Sequence, residues 1–137
     1  MTSDLDRMNR RFGAVLRNVK EVVEPALVKG AEEIAATQRQ LAPEDTGALK
    51  ASIAVTPPGQ TTPPYSQPGG SRVAKDGEAI VTAGNASVRY PHLVEYGSSH
   101  AAPQPFFWPG FRLNRTRAQN RIKRSIRRAV REGWDSP

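Results

Sequence analysis

The sequence contains no cysteine and only two histidines among its 137 residues. Disulfides and thiolate metal sites are therefore excluded, and the absence of cysteine is typical of a reducing compartment. No apolar run approaches the roughly 18 residues that would span a bilayer. The first thirty residues are studded with charge instead of holding a signal-peptide core. We therefore expect a soluble protein that is made in the cytoplasm, has no membrane partner and is not exported through a signal-dependent route.

Motifs for catalysis are also lacking. His92, Glu95 and His100 can be grouped as metal ligands, but their spacing matches no metal-site pattern. Ser98 and His100 lack the third group and the strained turn that a hydrolase nucleophile needs. The glycine-rich segment 68–71 lacks the lysine and the following helix of a phosphate-binding loop. We therefore expect neither an enzyme nor a bound metal or cofactor.

The length and composition favour one small domain. Hydrophobic residues make up 37% of the chain, which is enough for a single modest core. We predict one α+β domain over 1–137, in which a long N-terminal helix and a basic C-terminal helix pack on a small, mostly antiparallel β-sheet.

Apolar residues recur at about 3.6 residues per turn along the first forty positions, which predicts a helix over 4–41. Ser3 or Asp4 is expected to cap its start. Pro25 is expected to kink it, because the ring removes one hydrogen bond. At about 1.5 Å per residue such a helix is well over 50 Å long, which is more than a domain of this size covers. Part of its apolar stripe is therefore expected to meet another subunit.

Pro43 is expected to end this helix, and Asp45-Thr46-Gly47 to form a turn. The region 48–96 is predicted to hold the sheet, as three strands followed by a short helix that ends at Gly97. The predicted bounds of these elements are 49–56, 78–83, 87–90 and 90–96.

Residues 56–72 differ in composition from their surroundings, with five prolines and three glycines. Such a stretch forms no regular element and is predicted to be a loop or an extended arm. In a monomer a loop of this length is commonly disordered, whereas in an assembly it is suited to contact neighbouring subunits. The sequence leaves both interpretations open.

Prolines punctuate the connection to the last helix. Pro103, Pro105 and Pro109 keep the backbone extended, and Pro109 is expected at the first position of the helix. The aromatic run 106–108 is predicted to pack into the core. Glu95 is interpreted as a structural carboxylate that accepts hydrogen bonds from backbone donors or from an arginine of a neighbour.

The last helix, predicted over 109–131, carries the excess charge of the chain. Residues 112–137 hold nine basic and two acidic side chains, which accounts for the whole net charge of +7 because 1–50 and 51–111 are balanced. An outer face of six arginines without an acid repels itself by a few tenths of a kcal/mol per close pair. A solvated surface is one interpretation, and a face that binds DNA or an acidic neighbouring ring is the other. The predicted arginine face consists of Arg117, Arg121, Arg124, Arg127, Arg128 and Arg131.

Three motifs in order resemble the tail-completion, or minor tail, family of long-tailed double-stranded DNA phages, also described as gene-product-ten-like. The family's Pro-x-Asp-Thr-Gly-x-Leu-x-x-Ser-Ile segment is matched over 43–53. An aromatic residue, a short helix and Glu-aromatic-Gly follow over 90–97, and Pro-Phe precedes the basic helix. The proline-rich insert over 56–72 departs from the family pattern. The residues that carry the resemblance are Asp45, Thr46, Gly47, Leu49, Tyr90, Glu95, Tyr96, Gly97, Pro105 and Phe106.

The resemblance implies a structural virion protein of the head–tail junction, made in the cytoplasm of a host bacterium. It implies a ring, six-fold by default, that joins the DNA-filled head to the tail tube and lets DNA pass. The implied partners are further copies of the chain, the neighbouring neck and tail-tube proteins, and packaged double-stranded DNA in the lumen. A tail terminator, a head-side stopper and the same part of a gene transfer agent are close alternatives. A free nucleic-acid-binding protein is a further one, although the chain shows no helix-turn-helix and no aromatic stacking platform.

Overall fold

The structure is a computed structural model that describes residues 3–44 and 47–135. The α+β class expected from the sequence is confirmed: two long helices pack on each other, and a small antiparallel sheet packs on the first of them. The predicted turn residues Asp45 and Thr46 lie outside the described residues. The elements in chain order are α1 (Asp4–Leu41), α2 (Ala48–Ala51), β1 (Ala54–Thr56), β2 (Ile80–Thr82), α3 (Pro91–Tyr96) and α4 (Phe107–Trp134).

Helix α1 begins and ends where the sequence predicts. The Ser3 hydroxyl accepts a hydrogen bond from the Asp6 N–H at 3.1 Å, and the Asp6 carboxylate accepts one from the Ser3 N–H. This reciprocal pair satisfies two donors that a helix start leaves free. The helix passes through Pro25 and ends at Leu41, because Ala42 precedes a proline and is extended. With 38 residues, α1 is about 57 Å long.

Helices α1 and α4 pack antiparallel along most of their lengths, and small residues let them approach closely. A Cβ at Gly133 would lie 2.6 Å from the Cα of Val15 near the start of α1. A Cβ at Gly110 would lie 2.5 Å from Cγ of Gln38 near the end of α1. Gln38 is fully buried and donates its side-chain amide to the Phe107 carbonyl at 3.0 Å. The helix pair therefore has glycine contacts at both ends.

The strand predicted over 49–56 is wrong in its first half, which forms α2. Gly47 turns the chain with a φ of 81°, and the Ala51 and Ser52 N–H groups then donate to carbonyls four residues earlier. Alanine, leucine and lysine all favour a helical turn. The apolar positions Leu49 and Ile53 are four apart, so they share a helix face as readily as they share a strand face.

The sheet has two strands within the described residues. Val55 of β1 lies opposite Val81 of β2 in an antiparallel register, and β2 is shorter than the predicted 78–83. The third strand predicted over 87–90 is wrong. Its first residues instead close a tight turn, in which Oδ1 of Asn85 accepts hydrogen bonds from the N–H groups of Ser87 and Val88.

The proline-rich loop over 56–72 is irregular, as predicted, but it is not an extended arm. Gln67 forms a two-way backbone bridge with Ala83 just after β2, at 2.8 and 2.9 Å. The Thr62 hydroxyl is buried with its residue and accepts a hydrogen bond from the Arg72 N–H at 2.8 Å. Ser66 is fully buried. These polar side chains and backbone groups fold the loop onto the sheet, so the loop contributes to the interior.

Helix α4 extends beyond the predicted 109–131 at both ends. Pro109 occupies its third position rather than its first. The missing N–H costs nothing at the third position either, because N–H groups of the first turn have no acceptor within the helix. Phe106 and Phe107 precede and open the helix and are buried in the core cluster, as predicted for this aromatic run. The other members of that cluster are Ala35, Ala42, Leu49, Ile53, Ala83 and Val88.

Candidate interaction surfaces

Glu95 fixes the junction between α3 and α4. Its Oε2 accepts hydrogen bonds from the backbone N–H groups of Phe106 at 2.7 Å and Phe107 at 2.9 Å, and its Oε1 accepts one from Trp108 at 3.1 Å. The next residue, Pro109, has no N–H to satisfy. A carboxylate at a helix start also interacts favourably with the helix dipole. The interpretation of Glu95 as a structural carboxylate bonded to backbone donors is confirmed.

The residues that follow Glu95 complete the same junction. The Tyr96 hydroxyl accepts a hydrogen bond from the Trp108 indole N–H at 2.8 Å. Gly97 ends α3 with a φ of 80°, and a Cβ there would lie 2.8 Å from Cδ of Pro103. The Gln104 N–H then donates to the Val94 carbonyl at 2.8 Å. Glycine is needed at this position because both the backbone angle and the proline exclude a side chain.

The other motif residues are divided between the core and the surface. Leu49 and Phe106 are buried and lie in one cluster. Tyr90 precedes α3 and is partly exposed, and Pro105 is exposed. Among the described residues, the motif residues therefore stabilise the core and the junction between α3 and α4, and those that are exposed lie around α3.

The arginine face predicted on α4 is present with one correction. Arg121 is half-buried and forms an ion pair with Glu33 of α1, so it does not belong to the outer face. The remaining five are exposed: Arg117, Arg124, Arg127, Arg128 and Arg131.

The charge is concentrated at one end of the helix pair, which we call the basic end. It comprises residues 3–20, around the first half of α1, and residues 121–135, around the end of α4. The two segments are adjacent, as the hydrogen bond from the Asn18 side chain to the Ala129 carbonyl at 3.3 Å shows. These residues hold eleven basic and four acidic side chains, a net charge of +7 that equals that of the whole chain. The sequence reasoning missed the α1 contribution because it summed charge over 1–50. Counting each half of α1 separately would have found it.

The first four turns of α1 expose large apolar side chains on one face. Leu5 and Leu16 are 64% and 62% exposed, and Met8 and Phe12 are about half exposed. Trp134 near the end of α4 packs edge-on against Phe12, at 5.8 Å between ring centroids. The preceding turns of α1 therefore extend past the end of α4. From here on, the four side chains Leu5, Met8, Phe12 and Leu16 are called the apolar stripe.

A second apolar surface surrounds α3, at the opposite end of the helix pair. Tyr96 and Leu93 are 67% and 46% exposed, and Tyr90 is 39% exposed. Beside them lies a cleft of about 420 Å³ whose lining, as far as the described residues go, holds no charged side chain. We call this the α3 cleft. The residues that line it are Pro43, Gly47, Leu49, Tyr90, Leu93, Val94, Ser98, Ala101, Ala102 and Gln104.

Neither histidine belongs to a cluster of metal-ligating side chains within the described residues. Both oxygens of Glu95 are occupied by backbone donors, so this carboxylate does not join His92 and His100 in a metal site. Over residues 3–44 and 47–135, no cluster of three metal-ligating side chains is found. No helix in the same part of the chain is long and apolar enough to cross a membrane.

Residues 6–97 match the HK97-gp10-like family, described as "Bacteriophage HK97-gp10, putative tail-component". No curated protein and no solved structure matches the chain. The match covers α1 from Asp6 onward and the motif segments 43–53 and 90–97, and it ends before Pro105, Phe106 and α4. The similarity of that last part to the family stays a prediction. Because the matched region exceeds half of the sequence, the chain belongs to the HK97-gp10-like family of bacteriophage tail components.

Proposed function

We propose that the protein is a structural subunit that closes into a ring at the head–tail junction, joins the DNA-filled head to the tail tube and lets DNA pass. The observation that carries this proposal is the bare apolar stripe of α1 in a member of a tail-component family. A stripe of four large side chains exposed to water is costly in an isolated chain and typical of a surface that another protein covers. Six copies are the default, with the neck and tail-tube proteins as neighbours.

The arginine face supports a polyanionic partner for the assembled ring. Its five arginines are exposed to solvent, whereas Arg121 is engaged in the ion pair with Glu33. Guanidinium groups bind phosphate or carboxylate through two parallel hydrogen bonds. We propose that this face contacts packaged DNA in the lumen or an acidic adjoining ring.

The test is to disrupt the gene in the phage or phage-derived particle that encodes it and to examine the particles by electron microscopy. We expect filled heads and finished tails that are not joined, with joining restored by the protein supplied in trans. Overlong tails would identify a terminator instead, and heads that lose their DNA would identify a stopper. Normal, infectious particles would refute a structural role in the tail.

A further inference from the structure

We propose that copies of the chain associate head to tail, with the apolar stripe of one copy inserted in the α3 cleft of the next. This inference rests on the proposed function, because it names the contact that would form the ring. Each surface therefore binds another copy of this chain.

The two surfaces lie at opposite ends of the molecule. The stripe is on the first turns of α1, whereas α3 is tied through Glu95 to the start of α4, beside Gln38 near the end of α1. From Phe12 to Leu41 the axis of α1 spans about 40 Å. A contact between two different surfaces on opposite sides of a subunit is heterologous, and such contacts generate rings or filaments rather than isolated pairs.

Shape and chemistry match between the surfaces. The stripe is a convex row on a helix that extends past its partner α4. The α3 cleft is concave, apolar and about 420 Å³ in volume. Exposed tyrosine rings flank the cleft. Aromatic rings of this kind add a large apolar area to a contact with leucine, methionine and phenylalanine side chains.

Charge opposes the alternative in which two stripes pair with each other. Such a pair would bring together two basic ends, each with a net charge of +7. Juxtaposed like charges disfavour an interface. Residues 21–120, which include the α3 cleft, hold nine basic and nine acidic side chains, so the head-to-tail contact avoids that repulsion.

The experiment uses two variants of the full chain, each defective at one surface. Leu5→Asp with Leu16→Asp disables the stripe, and Leu93→Asp disables the cleft. All three leucines are substantially exposed, so circular dichroism and thermal melting should show unchanged folding. Leu113→Asp is the matched control, since Leu113 is 71% exposed on α4 and belongs to neither surface.

Mass is measured by light scattering over a range of concentrations. Wild type and Leu113→Asp should assemble, and each surface variant should remain near the 15.0 kDa subunit mass. We expect association to weaken roughly tenfold or more for each leucine removed from an apolar contact. An equimolar mixture of the two variants retains one intact stripe and one intact cleft, so it should form a pair of twice the subunit mass that does not grow further.

Other outcomes overturn the inference. If the wild type assembles but the cleft variant assembles equally well, or the mixture stays monomeric, the stripe binds elsewhere, and the proposed function stands on the particle experiment. If the wild type is monomeric at all concentrations, both the head-to-tail contact and the self-assembled ring are refuted. Membership of the tail is then decided by the disruption phenotype alone.

Discussion

Replacement of Glu95 by glutamine should destabilise the whole fold, because this carboxylate holds the start of α4. Three backbone N–H groups donate to its two oxygens over 2.7 to 3.1 Å. Glutamine keeps one acceptor oxygen and turns an NH₂ group toward the remaining donors. Donors left without an acceptor in a buried site cost about 1–3 kcal/mol each.

The expected loss follows from which donors lose their acceptor. Oε2 accepts hydrogen bonds from Phe106 and Phe107, and Oε1 accepts one from Trp108. Glutamine therefore leaves at least one donor without an acceptor and removes the negative charge at the helix start. We expect the free energy of unfolding to fall by about 2–4 kcal/mol for Glu95→Gln. Glu95→Ala leaves all three donors without an acceptor and should lower the free energy of unfolding by about 3–6 kcal/mol, with the smaller loss if water fills the space. Either loss is large against a typical total of about 5–15 kcal/mol.

The assay is urea unfolding followed by circular dichroism, compared with Glu21→Gln, the same chemical change at an exposed position of α1. Amide hydrogen exchange at 106–108 should accelerate in Glu95→Gln beyond the change in global stability. If Glu95→Gln and Glu21→Gln unfold at the same urea concentration, the carboxylate does not hold the helix start, and our account of the motif is wrong.

Three further predictions concern packing, charge and pH. Gly110→Ala should lower the free energy of unfolding by about 1–3 kcal/mol, because the added methyl overlaps Gln38, and thermal melting would measure this. Charge reversal of Arg124 and Arg128 should leave helicity unchanged but weaken DNA retention or docking in particles, and unchanged infectivity would contradict a functional arginine face. The pKa of Glu78 lies below its ordinary value because the Lys75 N–H donates to it and Arg72 is close. The stabilising contribution of the ionised Glu78 is therefore fully present above the ordinary glutamate pKa and should be lost as the pH falls through the lower folded value. Amide exchange at Lys75, compared with its intrinsic rate at the same pH, should then become faster.

The long elements could be predicted from the sequence because their signals are local. The period of 3.6 residues and the serine cap define α1, and Gly97 defines the end of α3. The start of α4 could not be placed in the same way. It depends on Glu95, a residue eleven positions before Phe106, whose carboxylate replaces a local cap. A helix start that is capped from another element leaves no signal in its own sequence.

The short elements failed for a different reason. Leu49 and Ile53 fit both a helical turn and a strand, and only the turn at Gly47 decides between them. The proline-rich loop is stabilised by hydrogen bonds between distant positions, such as the bridge from Gln67 to Ala83. Tertiary contacts of this kind are not visible in the composition, which predicted an irregular segment but left a loop and an extended arm equally open.

For the candidate surfaces, the sequence identified residue types but not their neighbours. It predicted the arginine face, yet the ion pair that occupies Arg121 comes from Glu33 of another helix. It also predicted that part of the α1 stripe meets another subunit, and the structure shows which part is about half exposed or more: Leu5, Met8, Phe12 and Leu16. The basic end was missed because 1–50 is balanced as a whole, and its basic first part meets the basic α4 only in the folded chain.

The most direct test of the central claim is the mass of the purified wild-type protein by light scattering, over a range of protein concentrations and with and without DNA across salt. We expect the mass to rise from the 15.0 kDa subunit to a plateau at a closed ring near six copies, without a requirement for DNA. A chain that stays monomeric at every concentration and binds free DNA with a steep dependence on salt would contradict it, and would favour a nucleic-acid-binding protein instead.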